Sequence, residues 1–262
     1  SFLHTEGKYR SSIYYFKYSK KFQEKFGIFQ YFIITLNEIG CEYMLLGKWK
    51  EAKFYFDYAL SFAKKMNDPF IIAIYLNLNE LSQYYGNFKE SRDYLRRASF
   101  ESIKFNYKQI NVLFYWIEYL ISIGYIKPLF KFLERFKRKI EEEKAYFLNE
   151  LYLSYLTYAN YLNGNYEEAI KIGNEALKKI KEKGLKKEEY IITKIFYLIT
   201  KDEKYLKKIK QLSEQMNREE YKIEAMIFEY ERNKDKDLYN KIKKELKRTP
   251  FYNLKIKFEN IM

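Results

Sequence analysis

Few residues of this chain could carry out chemistry by themselves. Its 262 residues include one cysteine, Cys41, and one histidine, His4. A disulfide within the chain needs two cysteines, and a Cys/His metal cage needs more ligands than these two. A nucleophile activated by histidine would depend on His4, close to the start of the sequence. The inventory therefore predicts neither a metal site nor a cofactor.

Two carboxylates, Glu80 and Glu118, are the remaining candidates for catalysis. Each lies in an apolar stretch of sequence, and such a pair could serve as a general acid and a general base. No nucleophile, metal-ligand set or phosphate-binding loop accompanies them. An enzyme is therefore the least favoured class, and we expect the chain to be non-catalytic.

The composition indicates a helical protein with a basic surface. Aliphatic and aromatic residues make up 47% of the chain, only 9 glycines and 3 prolines are present, and the formal net charge is +14. A basic surface can attract nucleic acid or anionic lipid. The abundance of Lys, Ile, Tyr, Asn and Phe also fits the codon bias of an AT-rich genome, which we favour. Runs such as 178–187 then read as solvated helix ends.

No membrane or secretory segment is visible. The most apolar stretch, Val112 to Ile126, is too short for a membrane span and contains Glu118. It predicts a buried helix, and no secretory signal precedes it. We therefore expect a cytoplasmic protein without a membrane partner.

Glycines recur along the chain at a nearly constant spacing. Each of five glycines is followed two residues later by a large apolar side chain, and the successive spacings are 40, 39, 38 and 40. These glycines are Gly7, Gly47, Gly86, Gly124 and Gly164. A fixed period of this length is the sequence signature of stacked helical repeats.

Small residues follow these turns at fixed offsets. Ala52 and Ala59 follow Gly47 at the same distances as Ala169 and Ala176 follow Gly164. The offsets place the small side chains on one face of a helix, where a second helix can approach closely. The same close packing would explain the two glycines that fall inside helices, Gly40 and Gly173.

Helix ends and starts are marked between the turns. Gly27, Asn67, Asn106 and Gly184 stand twenty residues after four of the turn glycines, and Gly and Asn accept the left-handed conformation that ends a helix. Proline marks helix starts at Asp68-Pro69, Pro128 and Thr249-Pro250.

The period predicts an all-α, right-handed α-solenoid of about six helix pairs, forming a single domain over 1–262. Residues 1–27 would be a partial first repeat, so the chain would be a fragment of a longer protein. Residues 28–249 would hold the further repeats, including a unit at Glu203-Lys204-Tyr205 without its glycine and a shorter one near Asp237-Leu238-Tyr239. Residues 250–262 would form a capping helix, with Leu254, Phe258 and Ile261 on one face.

The second unit resembles the tetratricopeptide repeat (TPR). The matching residues are Leu36, Ile39, Gly40, Tyr43, Gly47, Trp49, Ala52, Phe56 and Ala59. The fifth unit keeps Gly164, Tyr166, Ala169 and Ala176, the third has Ser91 in place of Ala, and the fourth departs with Ile126, Leu129 and Phe136. The period is longer than the 34 residues usual for this repeat. In that respect the chain is similar to the sensor arms of bacterial signal-transduction ATPases and transcription activators.

The resemblance implies a protein–protein interaction or ligand-binding arm of a regulator in signal transduction or transcription regulation. It also implies that the first helix of each pair lines a concave surface, which selects twenty inner positions. These are Ile34, Asn37, Cys41, Met44, Ala73, Leu76, Glu80, Gln83, Asn111, Phe114, Glu118, Ile121, Leu151, Ser154, Tyr158, Tyr161, Tyr190, Thr193, Tyr197 and Thr200. None is Lys or Arg, so we expect the positive charge on the outer helices.

The candidate binding residues on this concave face are the polar ones among these twenty. They are Asn37, Glu80, Gln83, Asn111, Glu118, Tyr158 and Tyr197. The tyrosines have an alternative role in packing between helices, and the glutamates an alternative role as solvated charges. The cationic grip with which some TPR proteins hold a C-terminal carboxylate is absent from the matching positions. The expected partner is a protein, a peptide or a small polar ligand. The alternative is a nucleic-acid-associated scaffold that uses a basic convex surface.

Overall fold

A computed structural model describes residues 9–28, 31–249 and 251–261. His4, Gly7, Pro250 and the first residues of the predicted partial repeat lie outside the described residues. The chain divides into two compact units. Unit 1 comprises the described residues up to 112 together with 249, 251 and 252, and unit 2 comprises 113–248 and 253–261.

The described residues are all-α and contain no strand. One turn of 3-10 helix in the described residues, Tyr146–Leu148, precedes the helix that begins at Asn149. The helices are α1 (Tyr9–Phe26), α2 (Phe32–Leu45), α3 (Trp49–Met66), α4 (Ile71–Tyr84), α5 (Phe88–Lys104), α6 (Gln109–Ser122), α7 (Ile126–Glu142), α8 (Asn149–Leu162), α9 (Tyr166–Glu182), α10 (Lys186–Thr200), α11 (Glu203–Met216), α12 (Glu219–Asn233), α13 (Lys236–Arg248) and α14 (Tyr252–Glu259).

Helices α2 to α13 form six consecutive pairs within the described chain, flanked by α1 and α14. Successive helices pack against each other in α2–α3, α4–α5, α8–α9, α10–α11 and α12–α13. In the α6–α7 pair, the rings of Trp116 and Phe132 meet at a centroid distance of 5.6 Å. The prediction of about six helix pairs is confirmed.

The turn inside each of the pairs that begin with α2, α4, α6 and α8 is built by a glycine. Gly47, Gly86, Gly124 and Gly164 adopt φ between 66° and 78°. At all four, the glycine N–H donates to the carbonyl three residues earlier and the next N–H to the carbonyl five residues earlier, at 2.8–3.1 Å. The predicted helix ends are also left-handed, with φ of 49° at Asn67 and 67° at Gly184. Glycine spacing therefore located these turns correctly.

Several predicted boundaries differ from the structure by about one half-turn. Helix α7 begins at Ile126 rather than at Pro128, and α14 begins at Tyr252 rather than at position 250. Helix α4 begins at Ile71 rather than at Pro69, because Asp68 caps a preceding turn by accepting the N–H of Phe70 at 2.8 Å. In the turn before α11 the left-handed residue is Lys201 (φ 55°), two positions before Glu203. Asp202 then caps α11 by accepting the N–H of Lys204 at 2.9 Å. A lysine in this conformation gives no sequence signal.

The small residues lie where helices pack closely, as the offsets predict. Ala52 and Ala169 have no exposed surface. A Cβ atom on Gly40 would lie 2.5 Å from the ring of Phe56, and one on Gly173 would lie 2.7 Å from the ring of Phe196. Both glycines are therefore required by packing and not by backbone conformation.

The end of the chain packs in two places, one in each unit. In unit 1, the buried ring of Phe251 lies edge-on to Trp49 at 5.8 Å and to Tyr84 at 5.6 Å. In unit 2, α14 is buried at Leu254 and Phe258, and Ile261, which follows the end of the helix, is half-buried.

Within the described part of the chain, no helix combines the length and the apolar character needed to cross a bilayer.

Candidate functional site

Asn37 on α2 is buried and belongs to a polar cluster of unit 1 whose other members are half-buried. Its Oδ1 accepts a 2.8 Å hydrogen bond from Nδ2 of Asn77 on α4, and the same Nδ2 lies 3.4 Å from the sulfur of Cys41. Burial raises the pKa of the Cys41 thiol well above its usual value. The cluster joins the first helices of two successive pairs. Asn77, forty residues after Asn37, was not among the predicted residues.

The other predicted residues of unit 1 have partners close to them in sequence. Glu80 is half-buried and accepts a 3.1 Å bond from the hydroxyl of Tyr84. Gln83 donates to Oδ1 of Asn79 at 3.1 Å. Asn111 is exposed and donates to the hydroxyl of Tyr107 at 3.3 Å. All three side chains keep some exposed surface.

Glu118 of unit 2 lies at the meeting point of three first helices. Its Oε1 on α6 accepts a 2.7 Å bond from the hydroxyl of Tyr155 on α8 and a 3.0 Å bond from Nζ of Lys187 on α10. Burial and the Glu118 charge raise the pKa of Tyr155 well above its usual value. The carboxylate is only partly covered, since 28% of its side chain is exposed.

A lysine outside the twenty predicted inner positions contacts one of them in unit 2. Lys187 neutralises Glu118, and its ammonium also lies 5.5 Å from the ring centroid of Phe114. Lys183 pairs at 2.8 Å with Glu150, whose side chain is only 4% exposed. Both lysines belong to the run 178–187, which was predicted to be solvated. The run begins at the end of α9 and enters α10, so its last members can reach carboxylates on neighbouring helices.

The two predicted tyrosines have different environments. Tyr158 is half-buried and stacks on Tyr161 at a centroid distance of 6.1 Å, with 23° between the ring planes. Tyr161 in turn contacts Tyr166 at 5.9 Å. Tyr197 is only 2% exposed and packs edge-on against Phe228 in a hydrophobic core. Tyr158 therefore offers ring surface to a ligand, whereas Tyr197 is committed to packing.

A second polar network of unit 2 was not predicted and surrounds Glu224 on α12. Its carboxylate accepts bonds from Nζ of Lys194 at 3.4 Å to both oxygens, from Nζ of Lys257 at 3.1 Å, and from the hydroxyl of Tyr190 at 2.8 Å. We call these four residues the Glu224 centre. They come from α10, α12 and α14, so the centre is assembled from residues that are distant in sequence.

Charges within the Glu224 centre strongly affect one another. Burial would raise the pKa of Glu224, but the ammonium groups of Lys194 and Lys257 outweigh it and lower that pKa to about 2. Burial would lower the pKa of Lys194, but Glu224 raises it above the usual value. The pKa of Lys257 is lowered, because burial and repulsion from Lys194 outweigh the attraction of Glu224.

Residues of α12 lie between the Glu118 network and the Glu224 centre. The ring of Tyr221 is 4.7 Å from that of Tyr190, and burial together with Glu220 raises the pKa of Tyr221 to about 12. Arg218 pairs with Glu220 at 3.9 Å, and burial raises the pKa of Glu220. The first helices of unit 2 thus share one surface of charged and tyrosine side chains.

The chemistry of this surface suits the binding of a polar ligand. It offers ammonium donors, carboxylate acceptors and ring faces, which recognise polar ligands by hydrogen bonding and stacking. Among the described residues, no group of three or more His, Cys, Asp or Glu side chains is placed to hold a metal ion. The sequence signal that was available for the residues around Glu224 is the i,i+4 spacing of Tyr190 and Lys194 and of Glu220 and Glu224.

No protein-family model matches the chain, and no curated protein is significantly similar to it in sequence.

Proposed function

We propose that this chain is a non-catalytic, TPR-like scaffold that binds a protein, a peptide or a small polar ligand on the first helices of its pairs. We further propose that it serves as the sensory or regulatory arm of a bacterial cytoplasmic signalling protein or transcription regulator. The TPR resemblance of the second and fifth units supports the family, and the regulatory role rests on that resemblance.

The observation that carries the binding proposal is the network around Glu118. One carboxylate is contacted by Tyr155 and Lys187, which lie 37 and 69 residues further along the chain. Equivalent helices of successive pairs therefore present polar side chains to one another. Because the carboxylate stays partly exposed, a ligand can reach hydrogen-bonding groups that are already oriented, which lowers the entropy cost of binding.

Tyrosine rings extend this polar surface. Tyr158 and Tyr161 are half-buried, and Tyr166 is 50% exposed. Tyrosine supplies a large contact area with little loss of conformational freedom. A peptide or a small molecule with planar groups would fit such a surface.

A second candidate function is nucleic-acid binding on the outer helices. On α7, Lys127, Lys131, Arg135 and Arg138 are exposed at helical spacing and so lie on one face. Such a basic stripe can follow a phosphate backbone. It is consistent with the net charge of +14.

Variants on the two surfaces separate the two functions. The inner-surface variants are Glu80→Gln and Glu118→Gln, and they are made separately because the two residues belong to different units. The outer-surface variant replaces the four basic residues of α7 by Gln. We expect a compound from a peptide and metabolite panel that raises the melting temperature of the wild type. This rise should be reduced by an inner-surface change and kept by the outer-surface variant.

Nucleic-acid binding is measured in parallel with a fluorescent 20-mer at low and at physiological salt. We expect weak binding that salt abolishes. Two results together would favour the nucleic-acid function instead. They are tight binding at physiological salt that the α7 variant abolishes, and panel compounds whose binding is unchanged by both glutamate substitutions.

A further inference from the structure

Two lysines of unit 2 share a single carboxylate. The ammonium groups of Lys194 and Lys257 both contact Glu224, and the two side chains are only 15% and 27% exposed. The neighbouring carboxylates Glu220 and Glu231 have cationic partners of their own, Arg218 at 3.9 Å and Lys201 at 3.1 Å. Among the groups that contact one another directly, the Glu224 centre therefore has one more positive charge than negative charge.

Hydrogen-bonding capacity is also left over. A lysine ammonium has three N–H donors. Lys194 uses bonds to both oxygens of Glu224, and Lys257 uses a bond to one oxygen. Tyr190 donates to the same carboxylate, so the acceptor is shared by three donors. The Lys257 ammonium also lies 3.5 Å from the ring centroid of Phe228, so an anion would be a stronger acceptor for its remaining N–H groups than that ring face.

A row of tyrosines lies beside Lys194. Its ammonium is 5.4 Å from the ring centroid of Tyr158, and Tyr161 and Tyr166 continue the row at centroid spacings of 6.1 and 5.9 Å. The rings become more exposed with distance from the lysine, from half-buried Tyr158 to Tyr166 at 50%. A planar group could stack there while its polar end reaches the ammonium groups.

We infer that Lys194 and Lys257 bind an anionic group, a carboxylate or a phosphate, carried by a ligand whose planar body stacks on Tyr158 and Tyr161. This inference rests on the proposed function and names the ligand class of its inner surface in unit 2. The anion would accept the remaining N–H groups and compensate the excess charge. A cationic ligand would instead meet two ammonium groups before it reached Glu224, and like charges are unfavourable in a partly buried site.

Four small probes with one ring test the inference on the whole chain. Phenyl phosphate and benzoate carry the two possible anions, benzyl alcohol is neutral, and benzylamine is cationic. Isothermal titration calorimetry should show at least one anion binding about tenfold or more tighter than benzyl alcohol, and benzylamine weakest. The ratio of phenyl phosphate to benzoate identifies the preferred anion.

Lysine variants show where the anion binds. Lys257→Met should weaken the anionic probe about tenfold, a change of about 1.4 kcal/mol, and Lys257→Arg should retain most of the affinity. Lys181→Met is the matched control, because this lysine is exposed on α9. Lys194 is more buried, so Lys194→Met is used only if circular dichroism shows a folded protein. If Lys194→Met is not folded, the conclusion is drawn from the Lys257 variants alone.

Three outcomes would overturn the inference. They are anionic probes that bind no better than benzyl alcohol, anion binding that Lys257→Met leaves unchanged, and tighter binding of benzylamine that depends on Glu224. If a probe still binds and Tyr158→Ser abolishes its binding, the proposed inner-surface function survives without the anion. If the affinity of every ligand is unchanged by the inner-residue substitutions and is lost when the basic residues of α7 are replaced, both proposals are wrong.

Discussion

The hydroxyl of Tyr155 donates a 2.7 Å hydrogen bond to the carboxylate of Glu118, which lies 37 residues earlier in the chain. This separation is close to one repeat, so the bond joins the first helices of two successive pairs. Tyr155 is almost fully buried, at 3% exposure, whereas Glu118 still reaches solvent. Repeat periodicity thus creates a fixed polar contact at the edge of the core of unit 2.

Tyr155→Phe should lower the free energy of unfolding by about 1.5–3 kcal/mol, the usual value for a hydrogen bond to a charged group. Glu118 would keep Lys187 as its partner, so the fold should persist. Urea denaturation measures the change. Tyr152→Phe on the same helix is the control, because its hydroxyl makes no hydrogen bond to the described residues, and we expect a change within about 0.5 kcal/mol. Equal effects of the two substitutions would contradict a specific role for the Tyr155 bond.

Glu224→Gln should destabilise unit 2 at neutral pH by about 3–5 kcal/mol, because it leaves two partly buried ammonium groups without their counter-charge. The control is Glu229→Gln, which removes a more exposed pair with Lys210 (2.8 Å) and should cost about 1 kcal/mol or less.

The stability that Glu224 contributes should also depend on pH. Its pKa is lowered from 4.5 to about 2 in the folded chain, so the unfolded chain binds the proton more readily. The contribution is present above pH about 4.5 and is lost as the pH falls toward 2. Urea titrations of wild type and Glu224→Gln at several pH values should converge across this window. A constant difference between pH 6 and 2 would show that the Glu224 charge is not responsible.

Gly173→Ala should destabilise the α9–α10 packing, although alanine is the better helix former by about 1 kcal/mol. The new methyl group would lie 2.7 Å from the ring of Phe196, and overpacking of this kind costs about 1–3 kcal/mol. Adding Phe196→Leu should relieve the clash, so that Gly173→Ala becomes neutral or stabilising in that background. A double-mutant cycle in urea measures the coupling, and additive effects would exclude the contact.

Ala52→Asp should lower the free energy of unfolding by several kcal/mol, about 3–5 for an unpaired charge in a packed interface. Ala52 has no exposed surface on α3, and the same position was predicted from the repeat register. Thermal unfolding followed by circular dichroism measures the change. Lys50→Asp, at an exposed position of the same helix, should change stability by about 0.5 kcal/mol or less. An unchanged melting temperature for Ala52→Asp would refute the register.

The helical repeat could be predicted from the sequence because its signals are local. Gly47 and Gly164 mark turns since φ near 70° is favourable for glycine. Small residues at constant offsets from these turns identified the packed face, and they included Gly40 and Gly173. Where a lysine adopts the left-handed conformation, as at Lys201 (φ 55°), the sequence carries no comparable signal and the predicted boundary was displaced.

The composition of the candidate site was decided by tertiary structure. Periodicity selected Glu118 and Tyr158 as inner residues, but it could not show that Lys187 reaches Glu118 from a helix that begins 68 positions later. The Glu224 centre was missed altogether, because its lysines lie 30 and 33 residues from Glu224 on two different helices. Sequence by itself determined the turns and the small-residue faces, since these depend on neighbours along one helix. Which charges meet depends on how long lysine side chains cross from one packed helix to the next, and only the three-dimensional packing decides that.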